Sequence, residues 1–163
     1  MKKTLIAVVS ALALYSASAA EWLTDLPKAQ AQAKKENKLV MLDFTGSDFC
    51  VQCKILKKKV FDTKEFATYA STNLVLVEVD FPEKKKLPDE QKKANDALAE
   101  VYKIEGYPTI VVLDKEGKKV GVLRPIDSET IVVMDGEDKK VSEYHYAKGS
   151  PKTFIAELKN LTK

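Results

Sequence analysis

The chain has 163 residues, 27 basic and 24 acidic, with two cysteines and one histidine. Charges of both signs alternate along it, and Arg124 is its only arginine, so an arginine-rich nucleic-acid surface does not fit. The length suits one domain able to bury a core without covalent staples.

Residues 1–20, MKKTLIAVVSALALYSASAA, open with Lys2 and Lys3, continue as an apolar run from Leu5 to Tyr15 and end in small residues with Ala-x-Ala spacing. That pattern reads as a secretory signal peptide, the alternative being a short uncleaved anchor. Its apolar run is about half of the ~20 residues needed to span a bilayer. No second such run follows, so residues 21–163 are expected to form one soluble, exported domain. Loss of the two leader lysines leaves that domain nearly neutral.

The stretch EWLTDLPKAQAQAKKENK is rich in helix formers and predicts a helix ending at Asn37. LVMLDF, Leu39 to Phe44, is a nearly continuous apolar run that suits a strand buried on both faces, broken only by Asp43. A polar turn, TGSD, leads to CVQCKILKKKVF, where apolar residues recur at helical spacing. TNLVLVEVDF predicts a second strand, and PDEQKKANDALAEVYKI a helix started by Pro88 and Asp89, with Ala94, Leu98, Val101 and Tyr102 on its apolar face. EGYPTIVVLDKEGKKVGVL reads as a turn, a strand, a tight turn at Lys115 to Gly117 and an antiparallel return strand. SPKTFIAELKNL predicts a final amphipathic helix with Ser150 as N-cap and Pro151 in its first position. Strands alternating with helices indicate an α/β chain.

One internal repeat is visible. TIVVLDKEGKKVGVL from Thr109 and TIVVMDGEDKKVSEY from Thr130 share nine of fifteen positions at an offset of 21 residues. Either a β-hairpin, spanning about 124–146, has been duplicated at the sheet edge, or two hairpins are similar because turn chemistry recurs. Two units are too few for a solenoid. The lysine runs Lys57 to Lys59 and Lys84 to Lys86 read as solvated faces.

Cys50 and Cys53 are separated by two residues, and four readings compete. Zinc needs four ligands, and beyond carboxylates only the distant His145 could add to the pair, so no metal site is expected. Covalent haem attachment needs a histidine after the second cysteine, where Lys54 stands. A purely structural bridge would close almost the smallest loop possible and restrain the unfolded chain little. A redox-active dithiol explains the placement: at the start of a helix, unpaired N–H groups and the positive end of the dipole stabilise a Cys50 thiolate by up to ~2 kcal/mol and draw its pKa below the usual thiol range. Cys53, one turn on, is placed to resolve a mixed disulfide formed on Cys50. Asp43, if buried in its strand, has a raised pKa and can carry the proton of Cys53; alternatively it is a strand-end carboxylate turned to water.

Helix, strand, CxxC at a helix start, strand, helix, Gly-Tyr-Pro-Thr, hairpin and C-terminal helix together resemble the thioredoxin superfamily, from about Trp22 to Leu161. VMLDF followed by CVQCK is similar to the periplasmic thioredoxin-like domain of a transmembrane reductant conductor and to small exported thioredoxin-like proteins. The resemblance implies a three-layer fold, a central mixed sheet with helices on both faces, with the second hairpin added at its edge. It implies a Cys50–Cys53 disulfide in the oxidised state, a cis Pro108 beside it and a Tyr107 backbone that pairs with an extended substrate peptide, with Phe49 and Val51 at an apolar substrate rim. Phe49 replaces the usual tryptophan, Val51-Gln52 replaces the usual Gly-Pro, and the loop from Asp43 is one residue longer. The dipeptide bears on the direction of electron flow. The implied activity is thiol-disulfide exchange in the periplasm with protein thiols and disulfides, without a bound cofactor, by a monomer recharged by a redox partner, itself a membrane protein. The rivals are a non-catalytic binding module of the same fold and a copper-handling protein.

Overall fold

The computed structural model describes residues 20–145 and 149–161. The leader read over residues 1–20 therefore lies, apart from Ala20, outside the described residues. Seven strands form one sheet in the order β1-β3-β2-β4-β5-β6-β7. They are β1 (Trp22–Leu23), β2 (Leu39–Thr45), β3 (Leu74–Asp80), β4 (Thr109–Leu113), β5 (Lys119–Pro125), β6 (Thr130–Asp135) and β7 (Lys140–His145). Strand β3 runs parallel to both β1 and β2, and every other neighbouring pair is antiparallel. The helices are α1 (Leu26–Glu36), α2 (Val51–Leu56), α3 (Lys64–Asn73), α4 (Asp89–Val101) and α5 (Pro151–Asn160); α2 runs straight into a π-helical turn, Lys57–Phe61.

Alternation along the strands divides the core in two. Val40, Leu42, Phe44, Val75, Val77 and Val79 meet Ala29 and Ala33 of α1 and, at the margin, Leu98 and Ala99 of α4 with Tyr102 just past its end. On the opposite face Met41, Leu76, Ile110 and Val112 meet Leu56 and Val60, Phe66 and Ala70 of α3, and Phe154 and Leu158 of α5. The mixed sheet is thus covered on both sides, and β2 and β4 lie at its middle. Among the described residues no helix is long and apolar enough to cross a membrane.

Three local expectations need correction. The first helix does not take in Trp22: Trp22–Leu23 pairs with β3, and the helix begins only after Asp25, whose carboxylate accepts the Lys28 N–H at 2.9 Å. The end at Asn37 is as expected, in the left-handed region at φ 54°. The helix Lys64–Asn73 was not anticipated, and it takes Thr72 and Asn73 away from the second strand. Just two of its side chains, Phe66 and Ala70, are buried, so its apolar stripe is thin. In α4, Ala94 and Val101 face solvent, and Asn95 is the buried residue, because its side-chain amide donates to the Asp80 carbonyl at 2.8 Å.

The two repeated hairpins are built alike, bond for bond. Asp114 Oδ1 accepts the N–H groups of Glu116 and Lys118; 21 residues on, Asp135 Oδ1 accepts those of Glu137 and Lys139. Gly117 and Asp138, equivalent in the repeat, both have positive φ, and the pairing irregularities at Val112/Leu113 and Val133/Met134 coincide as well. The second hairpin extends the edge beyond β5, as expected. Its residues Ile131, Val133 and Tyr144 also join the core beneath α5, where Tyr144 and Phe154 meet edge-on at 5.4 Å.

Candidate active site

The turn between β2 and α2 brings the cysteines to the surface at the middle of the sheet. Gly46 O accepts the N–H of Phe49 at 3.3 Å and of Cys50 at 2.9 Å. A side chain at Gly46 would come within 2.5 Å of the Phe49 ring, so glycine there is what lets the ring lie across the turn. Buried Asp80, at the end of β3, holds the turn from behind: its carboxylate accepts Ser47 N–H at 2.9 Å and Ser47 Oγ–H at 2.6 Å. Asp80→Ala removes both acceptors and frees the exposed Ser47 turn from the end of β3. We expect urea denaturation to show a loss of about 2 kcal/mol, with C50–C53 exchange slowed because the turn loosens.

Cys50 is the N-cap of α2, and Cys53 lies within its first turn. The two are joined in a disulfide, with residue exposures of 7% and 5%, so little more than an edge of the pair reaches solvent. The Cys53 N–H points at Cys50 Sγ, 3.1 Å away. Val51 is 61% exposed beside them.

The Tyr107–Pro108 peptide bond is cis. Thr109 Oγ donates to the Gly106 carbonyl at 2.7 Å and ties off the loop that carries it. The Phe49 and Tyr107 rings meet edge-on at 6.2 Å, which brings the segment before Cys50 to the segment before Pro108. Phe81, stacked on Tyr107 at 5.3 Å, completes an aromatic trio. Sequence reading missed Phe81; its place between the end of an apolar strand and Pro82 was the available signal. Burial raises the pKa of the Tyr107 hydroxyl, with Asp96 and Asp80 adding to the effect.

Asp43 is buried in β2, 7% exposed, and its Oδ1 has no hydrogen-bond partner among the described residues. Strand alternation puts it on the side of Met41, which packs with Leu56 and Val60, so it lies under the helix that carries the cysteines. Burial, with Glu78 and Asp80 adding negative charge and Lys57 partly offsetting them, pushes its pKa to about 8. Of the two sequence alternatives, a strand-end carboxylate turned to water is therefore removed. Glu78, directly across from Asp43 in the parallel register, is raised as well, chiefly by burial.

His145 lies on β7, four strands from β2 or about 19 Å at the usual strand spacing, and its Nδ1 is 3.1 Å from Thr130 Oγ. Among the described residues no group of three or more His, Cys, Asp or Glu side chains is disposed to hold a metal.

Comparison with known proteins agrees with this geometry. The disulfide bond reductase DsbH of Chlamydia pneumoniae is 39% identical over 93 residues, 57% of this chain and 56% of that protein. The chain thus spans little more than half of that curated relative. The thiol:disulfide interchange protein DsbD of Vibrio cholerae serotype O1 is 35% identical over 98 residues, 60% of this chain but 15% of the relative. A solved structure of a DsbH oxidoreductase aligns over 96% of this chain and 94% of its own, with 25% identity and a TM-score of 0.70, so the three-layer fold is thioredoxin-like. Residues 26–128 match the model of the thioredoxin-like domain, which covers more than half of the chain, and the chain belongs to that family.

Proposed function

We propose that this chain is a periplasmic thiol-disulfide oxidoreductase that reduces protein disulfides through a mixed disulfide on Cys50. The observation that carries the reading is the Cys50–Cys53 bond at a helix start, set beside a cis-proline loop and an aromatic rim. The name of the disulfide bond reductase among its relatives supports the direction of electron flow, and the leader pattern supports export.

In the reduced protein, the Cys53 N–H and the helix start favour the Cys50 thiolate. That thiolate attacks one sulfur of a substrate disulfide; the substrate S–S bond breaks, a Cys50–substrate disulfide forms, and the released substrate thiolate takes a proton. Cys53, deprotonated by the carboxylate form of Asp43, then attacks Cys50 Sγ. The mixed disulfide breaks, the second substrate sulfur leaves as a thiolate and takes a proton, the Cys50–Cys53 bond forms, and two electrons have passed to the substrate. Phe49, Val51, Tyr107 and Pro108 receive the substrate segment, with the Tyr107 backbone pairing to it. No bound cofactor takes part, one chain carries the whole site, and a dithiol partner, a membrane protein, restores the reduced state.

The reduction potential tests the direction. Equilibration against dithiothreitol, read by alkylation and mass, is expected to place the couple near about −270 mV, the range of a reductant. A value near about −120 mV would make the chain a disulfide donor and overturn the reductase reading.

A further inference from the structure

The loop that carries the second lysine run, Lys84 to Lys86, shares an anchor with Lys54 beside the reactive pair. The carboxylate of Asp48, two residues before Cys50, accepts three successive backbone N–H groups, from Glu83 at 3.0 Å, Lys84 at 2.8 Å and Lys85 at 3.1 Å. Successive N–H groups converging on one point form an anion site, and here the anion is the chain's own. On its other side the Asp48 carbonyl accepts Lys54 Nζ–H at 2.8 Å. Residue 48 therefore pins the 82–86 loop and the first turns of α2 to the turn that leads into Cys50. Because that loop leaves the aromatic rim directly at Phe81, its lysines border the surface offered to a substrate.

The surface is cationic on balance. Lys54, Lys84, Lys85 and Lys86 are exposed, and none of the four forms an ion pair among the described residues. Nearby carboxylates are mostly committed: Asp48 to the backbone, and Asp62 to Lys57 at 2.5 Å. Glu83 is the one exposed acid within the loop. Half-buried Glu78 has its raised pKa eased by both Lys57 and Lys85, so a lysine of each run lies within electrostatic reach of it.

We propose that Lys54 and the Lys84–Lys86 loop form a cationic landing surface for the protein that exchanges electrons with Cys50, and that this partner carries carboxylates beside its own reactive sulfurs. The proposal rests on the thiol-disulfide reading above and adds a sign to its partner. An aromatic rim takes any extended segment. Like-signed charges grouped at its margin speed encounter with an opposite charge and retard a like one, an effect that weakens as salt shortens the screening length.

The test uses the reduced full chain and three peptides, each with one intramolecular disulfide, flanked by acidic, neutral or basic residues. Exchange rates are measured by quenched chromatography at about 20 mM and about 300 mM salt. Each charged-peptide rate is divided by the neutral-peptide rate of the same variant. For the wild type the acidic peptide is expected to react about 10-fold faster than the basic one at low salt, and about 2-fold faster at high salt. Combined Lys84→Gln, Lys85→Gln and Lys86→Gln should bring the ratio near one, and the same three positions changed to Glu should invert it. A wild-type ratio near one, or a ratio unchanged in both triple variants, would overturn the proposal. So would a ratio near one together with lysine-dependent retention on phosphatidylglycerol vesicles, which would make the patch a lipid contact. Failure of the wild type to reduce even the neutral peptide would sink the thiol-disulfide reading itself, a result distinct from loss of charge preference.

Discussion

Replacing Cys50 by Ser is expected to lower the rate of protein-disulfide reduction at least about a thousand-fold, to the background of the assay, because a hydroxyl near neutral pH supplies almost no anion to attack sulfur. Cys53→Ser should behave differently. Cys50 still attacks and still forms the mixed disulfide, but nothing within the chain can break it, so a single turnover ends in a covalent adduct. Non-reducing electrophoresis and intact mass read the outcome: one substrate thiol per chain attached to Cys53→Ser, and none to Cys50→Ser. Adducts on Cys50→Ser and none on Cys53→Ser would reverse the roles. The expected order follows from position, since Cys50 caps the helix and receives the Cys53 N–H, whereas Cys53 lies one turn further in.

Asp43→Asn should stabilise the protein at high pH and slow it at neutral pH. In the unfolded chain this carboxyl ionises near the ordinary aspartate value of 3.8, and in the fold it does so near 8. Between those values the native state holds a proton that the unfolded state has released, so stability falls as pH rises from about 4 to about 8 and levels off on either side. Taken whole, such a difference would amount to about 6 kcal/mol; because entering water and local relaxation relieve part of it, we expect about 2–4 kcal/mol. Denaturation at pH 9 should show Asp43→Asn more stable by that amount, and at pH 4 the two proteins should differ by well under 1 kcal/mol. Equal gains at both pH values would mean that the charge at position 43 is not the cause. The kinetic cost appears in the second step of exchange: without a base under α2, the mixed disulfide should persist at least about 100-fold longer at pH 7. In the proposed mechanism, the unmatched Oδ1 of Asp43 is a place where stability gives way to proton transfer.

The β2 strand, the CxxC turn, the Tyr107–Pro108 loop and both hairpins were legible because each is written in a few consecutive residues with a strong local preference. Asp43 was legible as an exception, one acid in an apolar run. The supports of the site were not. Asp80 reaches Ser47 across 33 residues and Asp48 reaches Glu83 across 35, and neither acid differs in local pattern from a solvated one. Asn95 shows the same limit: its burial depends on a carbonyl 15 residues back, while apolar Val101, on the same helix, stays in water. Helix α3 escaped notice because two buried residues in ten make a weak period. Periodicity reports which faces meet the core, and it is silent on polar bonds between distant segments.

The second hairpin repeats the first down to its turn bonds, yet it is no removable fringe. Ile131, Val133 and Tyr144 form part of the floor on which Phe154 and Leu158 of α5 rest. A chain shortened by one 21-residue unit would keep the helix start, the aromatic trio and the proline loop, all of which stand on the middle strands, while its last helix lost that floor. The proposed chemistry stands on the middle strands, yet Phe154 of the last helix meets Phe61 just past α2 at 5.6 Å, so the hairpin floor is tied by packing to the segment that continues the cysteine helix.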